Sequence, residues 1–278
     1  MSSQIIQKKL DFYDCSTELE EEHAIREITQ EVLLASLGRT DFFQYAQFQG
    51  GTCLRIFHGL NRFSEDLDFL LKEPNHDFEL GGYLHSVVQE LRAYGYDLVV
   101  QKAFPKDDSL GKILRLHFRS NSEKRRKISV KLEVDTNPPL GSHSETRYLD
   151  FPFVSLVTTQ DMPSLFAGKI HALLCRKYMK GRDWYDFLFY SSLRTPINYT
   201  FLTSALYQSG PWKGQAMVVD RSWLIEAITQ RIDRIDWTLY AEDVARFIKS
   251  NEQASLKLWS SDLFLDQLRK IGGSDITS

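Results

Sequence analysis

The chain has 278 residues, with 34 Lys+Arg against 37 Asp+Glu for a formal net charge of −3, and it is 42% hydrophobic and 26% charged. That balance excludes a largely disordered chain and a globally basic architectural nucleic-acid binder, and it accommodates one large domain or two compact ones. No apolar run approaches the roughly 18–20 residues that cross a bilayer. The charged start MSSQIIQKKLDFYD lacks the apolar stretch of a secretory signal, so a cytoplasmic protein is expected. Cys15, Cys53 and Cys175 are far apart and form no CxxC or zinc spacing, so they are expected as free, buried or half-buried thiols.

In chain order, Ser16 or Thr17 followed by Glu18, Glu20, Glu21 and Glu22 predicts a capped helix over 17–37, closed by Gly38, with the glutamates on a solvated face. The aromatic stretch Phe42 to Phe48 predicts a short strand that stops at Gly50-Gly51, and a helix opens at Thr52. FSEDLDFLLK alternates as a strand, with Ser64, Asp66 and Asp68 on one side. Residues 78–95 read as a helix with a stripe of Leu80, Leu84, Val87, Val88 and Leu91, closed by Gly95. Strands follow near 96–103 and 112–119, then a polar hairpin at 120–126 and a third strand, KISVKLEVDT. In that strand Ile128, Val130, Leu132 and Val134 face one way, while Lys131, Glu133 and Asp135 face the other.

From about residue 155 the pattern turns helical. A start at Asp161-Met162-Pro163 runs through LFAGKIHALLCRKYMKG, DWYDFLFYSSL follows up to Pro196, and further helices are expected near 198–208, 220–234, 241–251 and 255–270. The expected organisation is an α+β core over 1–155 and a helical carboxy-terminal domain over 156–278.

Three features carry chemistry together. Gly50-Gly51-Thr52 at a strand-to-helix turn lets backbone approach a phosphate, with free N–H groups and a positive helix end. Asp66 and Asp68, two apart on a strand, share one face and can share divalent cations. Glu133 and Asp135 offer a third carboxylate if their strand neighbours that of Asp68; one of them suffices, with Glu133 preferred. In the helical half, Lys169 and Arg176 lie seven apart on one helix face.

The run QGGTCLRIFHGLNRFSEDLDFLL closely resembles the signature of the AbiEii/AbiGii-type nucleotidyltransferase toxins, a branch of the polymerase-β-like nucleotidyltransferase superfamily. The resemblance extends over residues 48–190, taking in Lys169 of FAGKIHALLCRK and Arg182, Asp183 and Asp186 of GRDWYDF. Thr52 stands where many members have serine and keeps the hydroxyl. The resemblance implies a mixed sheet flanked by helices and a helical domain behind it. It also implies transfer of a nucleotide from an NTP to an acceptor hydroxyl, with two Mg²⁺ ions held by Asp66, Asp68 and Glu133 or Asp135. Gly50, Gly51, Thr52, Ser64, Lys169, Arg176, Arg182, Asp183 and Asp186 would then serve nucleotide binding, with Arg182–Asp183 an ion pair at a helix start and Asp186 orienting Arg182 or Lys169. The implied partners are RNA, as the tRNA 3′ end, and an antitoxin, with no membrane. Lys106, Lys112, Arg115, Arg119, Lys124, Arg125, Arg126 and Lys127, between Lys102 and Lys131, suit a nucleic-acid acceptor. A protein or small-molecule acceptor, a non-catalytic binding module and a metal-dependent nuclease are the alternatives.

Overall fold

A computed structural model describes residues 2–94, 96–103, 112–120, 127–178 and 180–271. The chain divides into two units, residues 1–138 with 144–159, and residues 139–143 with 160–278. Among the described residues no helix is long and apolar enough to cross a membrane. The three cysteines are free, Cys53 buried and the other two partly so.

The first unit runs α1 (Ser2–Asp11), α2 (Glu18–Gly38), α3 (Phe42–Tyr45), β1 (Ala46–Gln49), α4 (Gly50–His58), β2 (Leu67–Leu71), α5 (Gly81–Ala93), β3 (Tyr96–Ala103), β4 (Lys112–Ser120), β5 (Lys127–Asp135), β6 (Ser144–Leu149) and β7 (Ser155–Gln160). The strands form one sheet in the order β3-β4-β5-β2-β1-β7-β6. β2 pairs parallel with β5 and β1 parallel with β7, while β1–β2, β3–β4 and β4–β5 are antiparallel, so the sheet is mixed. Ile128, Val130, Leu132 and Val134 are buried on the inner face of β5, as the alternation requires.

Several local readings change. The aromatic stretch opens as the single turn α3 before β1. Phe42 and Phe43 are both buried, and Phe42 meets Phe69 and Tyr83 edge-on at 4.9 and 5.2 Å. A strand would have sent one of the two neighbours outward. The 78–95 helix begins at Gly81, and its expected closure at Gly95 lies outside the described residues, as does hairpin 121–126. α1, β6 and β7 were not anticipated; β6, SETRYL, has almost no apolar signal because it lies at the sheet edge.

Thr17 caps α2 by accepting from the Glu20 N–H, while Glu20 reaches back to the Ser16 N–H at 2.8 Å. That reciprocal cap buries Glu20, which was expected on a solvated face. Deeper in α2, buried Glu27 accepts from the Tyr13 hydroxyl at 2.9 Å and pairs with Arg55 at 2.8 Å, and Glu31 pairs with Lys9 of α1 at 3.1 Å. Burial pushes the Glu31 carboxyl up to about 7, against the pull of Lys9. The folded state therefore holds a proton there that the unfolded chain releases near the ordinary value of 4.5. Stability should fall as pH rises from about 4.5 through 7, by about 3 kcal/mol. Urea melts across that range should show the slope, and Glu31→Gln should flatten it.

The second unit is helical: α6 (Met162–Cys175), α7 (Gly181–Ser192), α8 (Tyr199–Gln208), α9 (Arg221–Ile232), α10 (Trp237–Ala245), a 3-10 helix (Ser250–Leu258) and α11 (Ser261–Lys270). Caps set these boundaries. Asp236 accepts from the Thr238 and Leu239 N–H groups, so α10 begins ahead of the expected 241; Ser260 accepts from Leu263, splitting the expected 255–270 helix in two. The core stacks Trp237 on Phe264 at 3.9 Å and Phe166 on Tyr190 at 4.4 Å.

Candidate active site

The carboxylates sit in the middle of the sheet. Asp66 immediately precedes β2, and Asp68 within it has Gln49 of β1 and Glu133 of β5 as register partners. Adjacent strands lie about 4.8 Å apart and paired residues point to the same face, so Asp68 and Glu133 are side by side. Asp135 pairs instead with Leu70, accepts from the Asn137 N–H at 2.9 Å, and is pushed upward in pKa by burial.

Glu133 forms an ion pair with Lys131, two residues earlier on the same face. Burial works against the Lys131 charge, but the Glu133 hydrogen bond and the charges of Glu133, Asp66 and Asp68 outweigh it and hold the ammonium above its ordinary pKa. Among the described residues no three His, Cys, Asp or Glu side chains are grouped to hold an ion. The donor set nevertheless fits a hard divalent cation: Mg²⁺ commonly takes only one or two carboxylates, with water and phosphate completing its shell. That a lysine ammonium feels Asp66, Asp68 and Glu133 together marks the spot as one that favours positive charge.

The glycine turn lies against these acids. Gly50 has φ +80°, and a methyl group there would come within 2.8 Å of Asp68 Oδ2; one on Gly51 would come within 2.5 Å of Arg62 Nη2 and 3.1 Å of Ser64 Oγ. Only glycine lets the Asp68 carboxylate and the Arg62 guanidinium approach the backbone this closely. Gln49 makes no side-chain cap, so the first-turn N–H groups of α4 lack intrahelical partners. The Thr52 hydroxyl, expected to contact phosphate, is buried and donates to the Asp66 carbonyl at 2.5 Å, tying α4 to the entry of β2.

α2 braces this arrangement from behind. Gln30 donates to the Ser64 carbonyl at 3.2 Å, Arg26 pairs with Glu65 at 3.3 Å, and Glu27 holds Arg55 of α4. Arg62 and Lys131 were missed as site residues. An arginine just ahead of an acidic run was the available signal for the first; the shared strand face with Glu133 was the signal for the second.

The second unit carries its own charged cluster. Lys169 Nζ lies 2.7 Å from Asp183 Oδ1 and 2.7 Å from Asp186 Oδ2, and Arg176 Nε lies 3.1 Å from Asp183 Oδ2. Both carboxylates are buried. Burial alone would raise the Asp183 pKa, yet Lys169, Arg176 and Lys180 bring it down to about 2. Lys180 is itself lowered to about 8, chiefly by burial. Asp183 thus pairs with Lys169 and Arg176 and not, as expected, with its neighbour Arg182, which stacks over the Phe247 ring at 4.1 Å. Arg176 is the residue that closes α6, just past its last turn. Of the basic stretch, Lys102, Lys112, Arg115, Arg119, Lys127 and Lys131 belong to β3–β5; Lys106, Lys124, Arg125 and Arg126 lie outside the described residues.

The fold is similar to MenT4, a nucleotidyltransferase toxin from Mycobacterium tuberculosis, with a TM-score of 0.59 and 16% identity over 99% of this chain and 91% of that one. It is also similar to JHP933 from Helicobacter pylori, with a TM-score of 0.52 and 16% identity over 90% and 94% of the two chains. No curated protein sequence matches the chain. The family model described as nucleotidyl transferase AbiEii toxin, type IV toxin–antitoxin system, matches residues 32–267. A match over that much of the chain establishes membership: the protein belongs to the AbiEii nucleotidyltransferase toxin family of type IV toxin–antitoxin systems and is a nucleotidyltransferase.

Proposed function

We propose that the protein moves a nucleoside monophosphate from an NTP to an RNA hydroxyl, the tRNA 3′ end being the acceptor that the family resemblance suggests, with Mg²⁺ held by Asp66 and Asp68 and, once it leaves Lys131, by Glu133. The observation that carries this reading is the pairing of Asp68 with Glu133 on adjacent parallel strands, beside a glycine turn too tight for any side chain. A bound divalent cation supplies charge neutralisation at the phosphates. The first-turn N–H groups of α4, with Ser64 and Arg62, hold the triphosphate tail, and Thr52 positions that turn against Asp66. The acceptor oxygen bonds to the α-phosphorus, the bond from that phosphorus to its bridging oxygen breaks, and pyrophosphate leaves. The acceptor proton is released to water.

In the second unit, Lys169, Arg176, Lys180 and Arg182 outnumber Asp183 and Asp186, a balance suited to phosphate, so this cluster is assigned to nucleotide binding. The catalytic core is taken as the first unit. Basic residues along β3–β5 support a nucleic-acid acceptor over a protein or small molecule. The family's type supports a cognate antitoxin as partner, and action in the cytoplasm is part of the same reading. Purified protein incubated with each labelled NTP and with separate pools of total RNA and total protein should place label in RNA. Label in the protein pool alone would discard the RNA reading, and RNA cleavage without NTP would discard transfer.

A further inference from the structure

A cavity of about 390 Å³ opens in the second unit. Its walls include Trp212, Trp223, Glu226, Gln230, Arg231 and Arg234. The two indoles meet edge-to-face, with centroids 5.5 Å apart and planes at 74°, so one presents a flat wall while the other closes the end. Arg231 lies in the last turn of α9 and Arg234 two residues past its end, and both line the cavity, setting two cations against the single acid Glu226. The volume lies in the range of small-ligand sites and is far from that of a flat protein-docking patch.

The cavity also adjoins the charged cluster through covalent and hydrogen-bonded neighbours. Leu174 of α6 lines it, two residues before Arg176, and Arg231 donates to the Arg176 carbonyl at 2.7 Å. Planar aromatic walls with arginines at the edge are how proteins hold unstacked bases of single-stranded RNA: the base stacks, and the cations take the backbone.

We propose that this cavity is a nucleobase subsite for the RNA acceptor, an unpaired base stacking on Trp212 or Trp223, Gln230 and Glu226 meeting its polar edge, and Arg231 and Arg234 taking the adjoining phosphates. The assignment rests on the RNA-acceptor reading above but is tested apart from it. Trp184, Trp237 and Trp259 are buried, whereas Trp212 and Trp223 are partly exposed, so the part of the tryptophan emission lost in the Trp212→Ala and Trp223→Ala proteins reports on this cavity. Titration with a short single-stranded oligoribonucleotide should quench it. Trp212→Ala and the surface change Arg234→Glu should each weaken that binding about tenfold. In labelled-NTP transfer to total RNA, the same variants should raise the KM for RNA by a similar factor and leave the KM for NTP as it was.

Absence of quenching by the oligoribonucleotide, or quenching by NTP alone that RNA does not displace, overturns the assignment. So does an unchanged RNA KM in both variants. Failure of the wild-type protein to label any RNA strikes the acceptor reading itself, while the fluorescence titration still decides whether the cavity takes a base. Loss of antitoxin binding in the variants, with RNA binding intact, would make the cavity a protein-docking site and likewise sink the proposal.

Discussion

Asp68→Asn is expected to reduce nucleotidyl transfer by about a thousandfold or more, corresponding to ~4 kcal/mol of barrier. The amide keeps the volume and one acceptor oxygen but removes the negative charge beside Glu133 and the Gly50 backbone. Asp68 is only partly buried, so the fold should survive, and a circular dichroism melt close to wild type would show that. Incorporation of labelled NTP into RNA is the measurement. Transfer by Asp68→Asn at a wild-type rate would remove this carboxylate from the chemistry, whereas host toxicity that persists while transfer is lost would favour the non-catalytic binding module. Asp66→Ala should behave similarly, since the backbone carbonyl that receives the Thr52 hydroxyl is kept and only the carboxylate is lost.

The second large effect concerns stability. Lys169→Met should destabilise the protein by about 3–5 kcal/mol, because it leaves two buried carboxylates without the ammonium they share. Urea denaturation would read this directly. Asp183, held down to about 2, adds a pH signature with a definite sign. A carboxyl depressed in the folded state contributes stability above its ordinary 3.8 that disappears as pH falls toward 2. Lys169→Arg separates the two roles: it keeps the charge and should recover most of the stability. Recovery of transfer as well would assign Lys169 to architecture, whereas loss of transfer in a stable Lys169→Arg protein would assign it to the nucleotide.

Spacing reached some of this arrangement. Period-two alternation put Lys131 on one face with Glu133, and the inner-face residues of β5 are buried as that period demands, whereas Asp66 lies ahead of β2, outside the strand the alternation assumed. The choice between Glu133 and Asp135 could not be made that way, since both point alike; it needed the parallel register that sets Glu133 beside Asp68. Register is a long-range property with no local signature. The Thr52 hydroxyl was expected on phosphate because it stands where the family resemblance has serine, and the tertiary contact with the Asp66 carbonyl engages it instead. Arg182 was paired with Asp183 by adjacency, but neighbours on a helix point apart, and Asp183 instead meets cations from α6. β6 escaped notice because an edge strand with one wet face carries few apolar residues.

The bracing of the glycine turn by α2 changes how loss-of-function variants should be interpreted. Arg55 reaches Glu27, Glu27 is held by Tyr13, and Gln30 grips the Ser64 carbonyl, so the glycine turn inherits its shape from residues of α2 behind it. Random mutagenesis selected for survival of the host would accordingly return hits in the amino-terminal thirty or so positions alongside the acidic motif. Those hits would report on scaffolding rigidity and not on recognition.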